Sequence, residues 1–190
     1  MSEQELLAEL ASGDEARAEA AAVRLAAAGE AVLPALEPLL ASGTPDHRWW
    51  AVRTLGQMTS PRMDWLLSAL GDPSAEVRAA AALALAAHPA EDVAPLLVQA
   101  LDDDDSIVAI LAVNAVASIG KAATPALLEA FPKASPRARI HIMRTISELE
   151  DHRAIPLMMK AIEEESAMLR YWAEQGIERL GLNMVYIKPE

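Results

Sequence analysis

The chain has no cysteine, which removes disulfides, thiol catalysis and thiolate metal sites together. Its four histidines, His47, His88, His141 and His152, lie far apart, and no two share the spacing of a helical zinc site. GxGxxG, GxSxG and the phosphate-binding P-loop are all missing, and no nucleophile stands beside a base. Positive charge is scarce as well. The 190 residues carry 28 acidic and 16 basic side chains, a net charge of −12, which opposes the counterion-release term that dominates nucleic-acid affinity. The N-terminal MSEQELLAELASGDE has acids where a secretory signal has basic residues. The longest uncharged stretch, residues 106–120, falls short of the roughly 20 apolar residues of a membrane span. These absences lead us to expect a cytoplasmic protein without metal or other cofactor and with no membrane segment, and they disfavour a nucleic-acid partner.

What is present is alanine-rich apolar sequence. Hydrophobic residues make up 53% of the chain and aromatics only 4%, a balance that excludes disorder and suits closely packed helices in a thin core. The pattern repeats. Leu10, Leu40, Leu70, Leu101, Phe131 and Ile162 recur at intervals of 30 or 31 residues. Eleven positions after these anchors stand Ala21, Ala51, Ala81, Ala112, Ile142 and Ala173, and fifteen after them Leu25, Leu55, Leu85, Val116, Ile146 and Ile177. A register held this long is the signature of a repeat array.

Each unit reads as two helices, a short first (for example 93–101) and a longer, Ala-rich second (for example 74–87). Thr44-Pro45, Ser60-Pro61, Asp72-Pro73, Thr124-Pro125 and Ser135-Pro136 read as helix starts, each with a capping side chain followed by proline at the first helical position. The only strand-like segment is 184–187, in the tail. One helix pair cannot bury its apolar face alone, so successive pairs stack. The expected fold is an all-α solenoid of about six pairs, 5–33, 34–63, 64–93, 94–124, 125–155 and 156–181, in a single domain over 1–190, with 182–190 as a C-terminal cap.

Eight positions after the anchor, four units carry arginine: Arg48, Arg78, Arg139 and Arg170. These are expected to meet the carboxylate in the preceding turn, Asp72 with Arg78 and Glu164 with Arg170, in a structural Asp/Arg ladder that staples the units. Ala18 and Ala109 interrupt the row. The acidic runs 102–105 and 163–165 read as solvated turns that cap helix starts.

The stretch LGDPSAEVRAAAALALAAHPAEDVAPLLVQALDDDD, through Asp72, Pro73, Val77, Arg78, Ala81, Leu85, Pro95, Leu96, Leu97 and Leu101, resembles the HEAT-like repeat of the phycobilisome-lyase type. The resemblance runs from about residue 5 to 181 and is best over 64–124. It implies a right-handed superhelix whose second helices line a concave surface. It also implies a class made mostly of protein-binding scaffolds, with bilin lyase subunits and a HEAT-like DNA glycosylase family as enzymatic exceptions.

On the second helices, anchor +9 and +13 point away from the core, by roughly 180° and 220° on the helical wheel. These rows contain Trp49, Ile110, Ile140 and Tyr171, and Arg53, Asn114, Arg144 and Gln175. Aromatic, aliphatic and arginine side chains on one surface are the material of interfaces. The expected function is therefore a non-catalytic scaffold that binds a protein or peptide there, with a bilin lyase or tetrapyrrole-handling subunit as the alternative and a HEAT-like DNA-binding or glycosylase protein as a more remote one. Trp50 and Trp172, one position later, read as core filler, and Trp65 as packing. The sequence leaves the oligomeric state open.

Overall fold

In the computed structural model, which describes residues 2–182, the described residues contain twelve α-helices, short 3-10 turns and no strand. The chain divides into two compact units, Met1–His88 and Pro89–Glu190, each built from three helix pairs. The first holds α1 (Glu3–Leu10), α2 (Glu15–Ala27), α3 (Leu33–Ser42), α4 (Pro45–Gly56), α5 (Met63–Ala69) and α6 (Ala75–Ala87). The second holds α7 (Ala94–Gln99), α8 (Ser106–Ile119), α9 (Thr124–Ala130), α10 (Pro136–Leu149), α11 (Ile155–Ile162) and α12 (Ala167–Arg179). The tail beyond Leu182, including the strand-like segment 184–187 and nearly all of the expected cap, lies outside the described residues.

Within the first unit α2 packs on α4 and α4 on α6; within the second, α8 packs on α10 and α10 on α12. Second helix therefore meets second helix, and the repeat register explains how. All six residues at anchor +11 and all six at +15 are buried, from Ala21 and Leu25 to Ala173 and Ile177. Alanine at +11 brings the backbones near each other, and glycine brings them nearer still. A Cβ on Gly56 would lie 2.7 Å from the Ala84 Cβ, and one on Gly176 would lie 2.3 Å from the Met158 sulfur and 3.1 Å from the Ser147 Cα. These two joints, α4 on α6 and α10 on α12, tolerate no side chain at their closest point.

Helix starts follow two designs. Thr44 and Ser135 cap α4 and α10 by accepting from the backbone N–H of His47 and Ala138. The other three Ser/Thr/Asp-Pro pairs do not cap in this way. Asp72 accepts from the Ser74 N–H one turn ahead of α6, and Ser60-Pro61 precedes α5, whose N-cap is Arg62. Thr124 is the buried first residue of α9. The reason at Thr124 is backbone geometry: the preceding Ala123 is already helical, at φ −76°, so no extended cap residue is available to offer a side-chain oxygen. Four first helices, α3, α7, α9 and α11, instead follow a 3-10 turn and carry proline in their first turn.

By composition alone, Ser106–Lys133 is long and apolar enough to cross a membrane. The fold breaks this run at Gly120, whose φ of 73° is a left-handed conformation open to glycine and strained for other residues. The two halves become α8 and α9 of successive helix pairs, and Val108, Ala109, Ala112, Val113, Ala115 and Val116 of α8 are core residues.

Candidate functional site

The arginine row is built from the following repeat, contrary to the expected pairing. Arg48 grips Asp72 with two parallel bonds, Nε to Oδ2 at 2.6 Å and Nη2 to Oδ1 at 2.8 Å, and donates a third to the Gly43 carbonyl. Arg139 donates to Glu164 at 2.5 Å while its guanidinium lies 4.4 Å from the centre of the Phe131 ring. Arg78, expected to meet the Asp72 carboxylate, donates to the Asp72 backbone carbonyl at 2.8 Å. Arg170 is exposed, and Glu164 takes Arg139 in its place. The correction has a geometric cause: the +8 position leaves its helix on the flank that faces the next repeat, so the reachable carboxylate is the one after it. The Arg48 side chain holds the Asp72 carboxyl below its ordinary value, against the opposing effect of burial.

The acidic run at 102–105 is likewise built into the structure. Asp105 caps α8 by accepting from the N–H groups of Ile107 and Val108. Asp102 accepts from the Ser135 hydroxyl at 2.5 Å, and Arg137 donates to the Asp103 carbonyl at 2.5 Å, which ties this turn to the start of α10. A second polar tie joins the turns before α9 and α11. Buried Asp151 receives Arg153 through both carboxylate oxygens, and Arg153 also donates to the Lys121 carbonyl at 2.6 Å. The bond from Arg153 is the main reason the Asp151 carboxyl stays far below the usual range.

The residues proposed to bind a partner all lie on the sides of second helices turned away from the core, but with different freedom. Ile110 and Tyr171 are each 49% exposed, and Asn114 and Arg144 are exposed with them. Trp49, Arg53, Ile140 and Gln175 are half-buried. Trp49 packs edge to face on buried Trp50, with centroids 4.7 Å apart. Arg53 reaches back to Glu19 on α2 at 2.9 Å, and Gln57 joins the same carboxylate at 3.2 Å. On the other unit, Arg144 stands 5.5 Å over the Trp172 ring and donates to Glu148, while Tyr171 and Trp172 form a second edge-to-face pair at 5.0 Å. Trp172 is half-buried, not core. Trp65 packs with Arg62, whose guanidinium lies 5.0 Å from the ring centre.

Sequence reasoning missed a third row on the same face. Ile107 (62% exposed) and Met168 (49%) stand at anchor +6, which at about 100° per residue falls beside the +13 row, roughly 20° beyond it on the wheel. Val23 and Leu83, in the +13 row, are also exposed. It missed two clefts as well. One, of about 490 Å³, lies in the first unit beside Trp49 and Trp50 and is bordered by Glu15, Asp46 and Glu76. The other, of about 600 Å³ in the second unit, lies among first helices, over Pro95, Ala126 and Ala130. Clefts gather residues distant in sequence, so no local pattern announces them.

Comparison with known proteins places this geometry. Residues 63–136 match the family model for HEAT repeats. The chain is 31% identical over 161 residues to the uncharacterized phycocyanin operon protein Z of Pseudanabaena tenuis (strain PCC 7409), covering 78% of this chain and 80% of that one. Among solved structures, the complex of CpcE and CpcF of phycocyanin lyase from Nostoc sp. PCC7120 superposes with a TM-score of 0.53 at 22% identity, over 95% of this chain and 77% of that one. A designed armadillo repeat protein superposes with a TM-score of 0.51 at 20% identity, over 96% of this chain and 100% of that one. At such identities the structures speak for the solenoid fold alone. With twelve helices in six pairs, a 30- or 31-residue register and a relative matched over most of both lengths, the chain belongs to the HEAT-like repeat proteins of the phycobilisome-lyase type.

Proposed function

We propose that this chain is a non-catalytic cytoplasmic scaffold that binds a protein or peptide partner on the outward face of its second helices. The supporting observation is where its large apolar side chains remain in water. Of the eight such exposed residues among those described, Val23, Leu83, Ile107, Ile110, Met168 and Tyr171 lie on second helices and on that face. Each is already about half covered, so full burial would contribute about 1 kcal/mol apiece, half of the usual figure, and a partner that covers several has a substantial driving force. Arg53 and Arg144 beside them supply directional contacts. Capture of a partner by the wild-type chain, lost in the Ile110→Lys/Tyr171→Lys variant with unchanged circular dichroism, is the expected result. Equal recovery by the two would overturn the reading.

A second reading, a subunit that handles a bilin for a client protein, is favoured by the phycocyanin operon relative. The lack of cysteine is compatible with it, because the acceptor thiol would belong to the client. A shift in a bilin's absorption spectrum on adding the purified chain would support this reading; an unshifted spectrum would count against it.

A further inference from the structure

Three of the six described aromatic rings have a cation of their own. Arg62 stands over Trp65, Arg139 over Phe131 and Arg144 over Trp172. Trp49 and Trp50 are the exception among the described tryptophans: they pack on each other, and no described guanidinium or ammonium group covers them. They line the cleft of about 490 Å³ in the first unit, a volume within the range of ligand sites, whose remaining wall holds Glu15, Asp46, Glu76 and Ser74. No lysine, arginine or histidine lines it.

The three carboxylates sit in the first turns of α2, α4 and α6, where a helix end contributes roughly half a positive charge. Glu15 and Asp46 alone carry two full negative charges against roughly one positive charge from their two helix ends, so the cleft keeps a net negative field. Glu76 is engaged by the Ser74 hydroxyl at 2.5 Å, whereas Glu15 and Asp46 make no ion pair with any described residue.

We propose that this cleft receives a lysine or arginine side chain from a basic segment of the protein partner, with the Trp49 and Trp50 rings beside the cation's stem and the carboxylates around its head. The cleft supplies both requirements of such a group, an aromatic surface for an alkyl chain and cation and negative charge at the tip. This inference rests on the scaffold reading and gives the first unit's share of the partner its chemistry.

The test uses the full chain and a fluorescein-labelled nonapeptide with lysine and arginine at alternate positions, followed by anisotropy, with the same peptide carrying glutamine at those positions as the neutral probe. The basic peptide is expected to bind and to weaken with added salt, and the neutral one to bind at least about tenfold more weakly. Glu15→Gln/Asp46→Asn/Glu76→Gln is expected to weaken the basic peptide by about tenfold. Removing three acids elsewhere, by Asp104→Asn/Glu163→Gln/Glu165→Gln, is expected to leave affinity within about twofold, as independent surface sites do. Trp49→Ala should also weaken binding, and the charge triple keeps the test decisive if Trp49→Ala disturbs the fold. Equal loss in both charge triples would overturn the proposal by reducing it to general acidity, and so would equal binding of the neutral peptide or no binding of the basic one. Tyr171→Ala separates the two readings: a natural partner lost by Tyr171→Ala but retained by the cleft triple leaves the scaffold standing and removes this inference.

Discussion

The first three helix pairs and the last three are written in one register yet present different outward faces. In the first unit the face holds exposed Val23 and Leu83 together with Trp49, around which stand Glu15, Asp46 and Glu76, and its Arg53 is committed to Glu19. In the second it is aliphatic and aromatic, with Ile107, Ile110, Met168 and Tyr171 exposed and Arg144 set over Trp172. The buried positions do not differ in this way. Ala51 and Leu55 serve the first unit as Ala112 and Val116 serve the second. A repeat fold thus leaves its outward positions freer to vary than its inward ones, because inward positions must fit the adjacent helix and outward ones make only a few contacts such as Arg53 with Glu19.

The largest expected effects fall at the inward joints, where the two units use different obstacles. Gly56→Ala drives a methyl into the Ala84 Cβ at 2.7 Å, a fixed atom that yields only if α4 and α6 separate, and is expected to cost about 2–3 kcal/mol in urea unfolding. Gly176→Ala meets first the Met158 sulfur, the mobile part of a flexible side chain, and is expected to cost about 1–2 kcal/mol, and less than that when introduced into the Met158→Ala background. Equal costs, unrelieved by Met158→Ala, would break the distinction between the joints.

The arginine staples come next. Asp72→Ala strands Arg48 in a pair only 17% and 10% exposed, whereas Glu164→Ala strands Arg139 in a pair 28% and 27% exposed. Asp72→Ala is therefore expected to lower the melting temperature by several degrees and Glu164→Ala by less, since water compensates a stranded charge better where it reaches it. The reverse order in a thermal scan would contradict the burial argument.

Acid should act on both units, and mildly acidic solution on the second through His141. The carboxyls of Asp72 and Asp151 are held below their ordinary value. Their contribution is therefore complete above pH about 4 and lost as pH falls through the lowered folded values. Asp151→Asn should flatten part of the decline below pH 4. His141 on α10 is also lowered, first by burial and then by Arg137 and Arg144. A depressed histidine means that the unfolded chain binds the proton more readily, so stability should begin to fall as pH drops below about 6.5, the ordinary histidine value. His141→Gln should remove that earlier slope and leave the one below pH 4, as read from urea midpoints against pH. The smallest effect on stability belongs to the outward faces: Leu83→Lys and Ile110→Lys are expected to stay within about 0.5 kcal/mol of wild type in urea unfolding while only partner binding changes.

Much of the fold was legible because the repeat prints its core at fixed intervals: Ala21 to Ala173 and Leu25 to Ile177 could be named from periodicity, and all are buried. The direction of the ladder was not legible. Arg48 lies 24 residues before Asp72 and Arg78 only six after it, and sequence distance favours the nearer pair whereas the facing surfaces favour the farther one. Three of the five proline-marked starts misled: Thr124 follows a chain already turned into 3-10 geometry, and at α5 and α6 the extended N-cap is Arg62 or Ser74, two residues beyond Ser60 and Asp72. Of the candidate site, the wheel identified Ile110, Asn114, Arg144 and Tyr171 on the open face, passed over Ile107 and Met168, and did not reveal how far Trp49 and Ile140 are covered.

The sequence by itself determined the class, the number of helix pairs and the layer in which each alanine and leucine belongs, because these follow from a helical period and the need of each pair to bury one face. The tertiary structure decided which arginine meets which carboxylate, where Gly56 and Gly176 leave no room for a methyl, and which acids close around Trp49. Each of those depends on distances between helices that the local pattern does not contain.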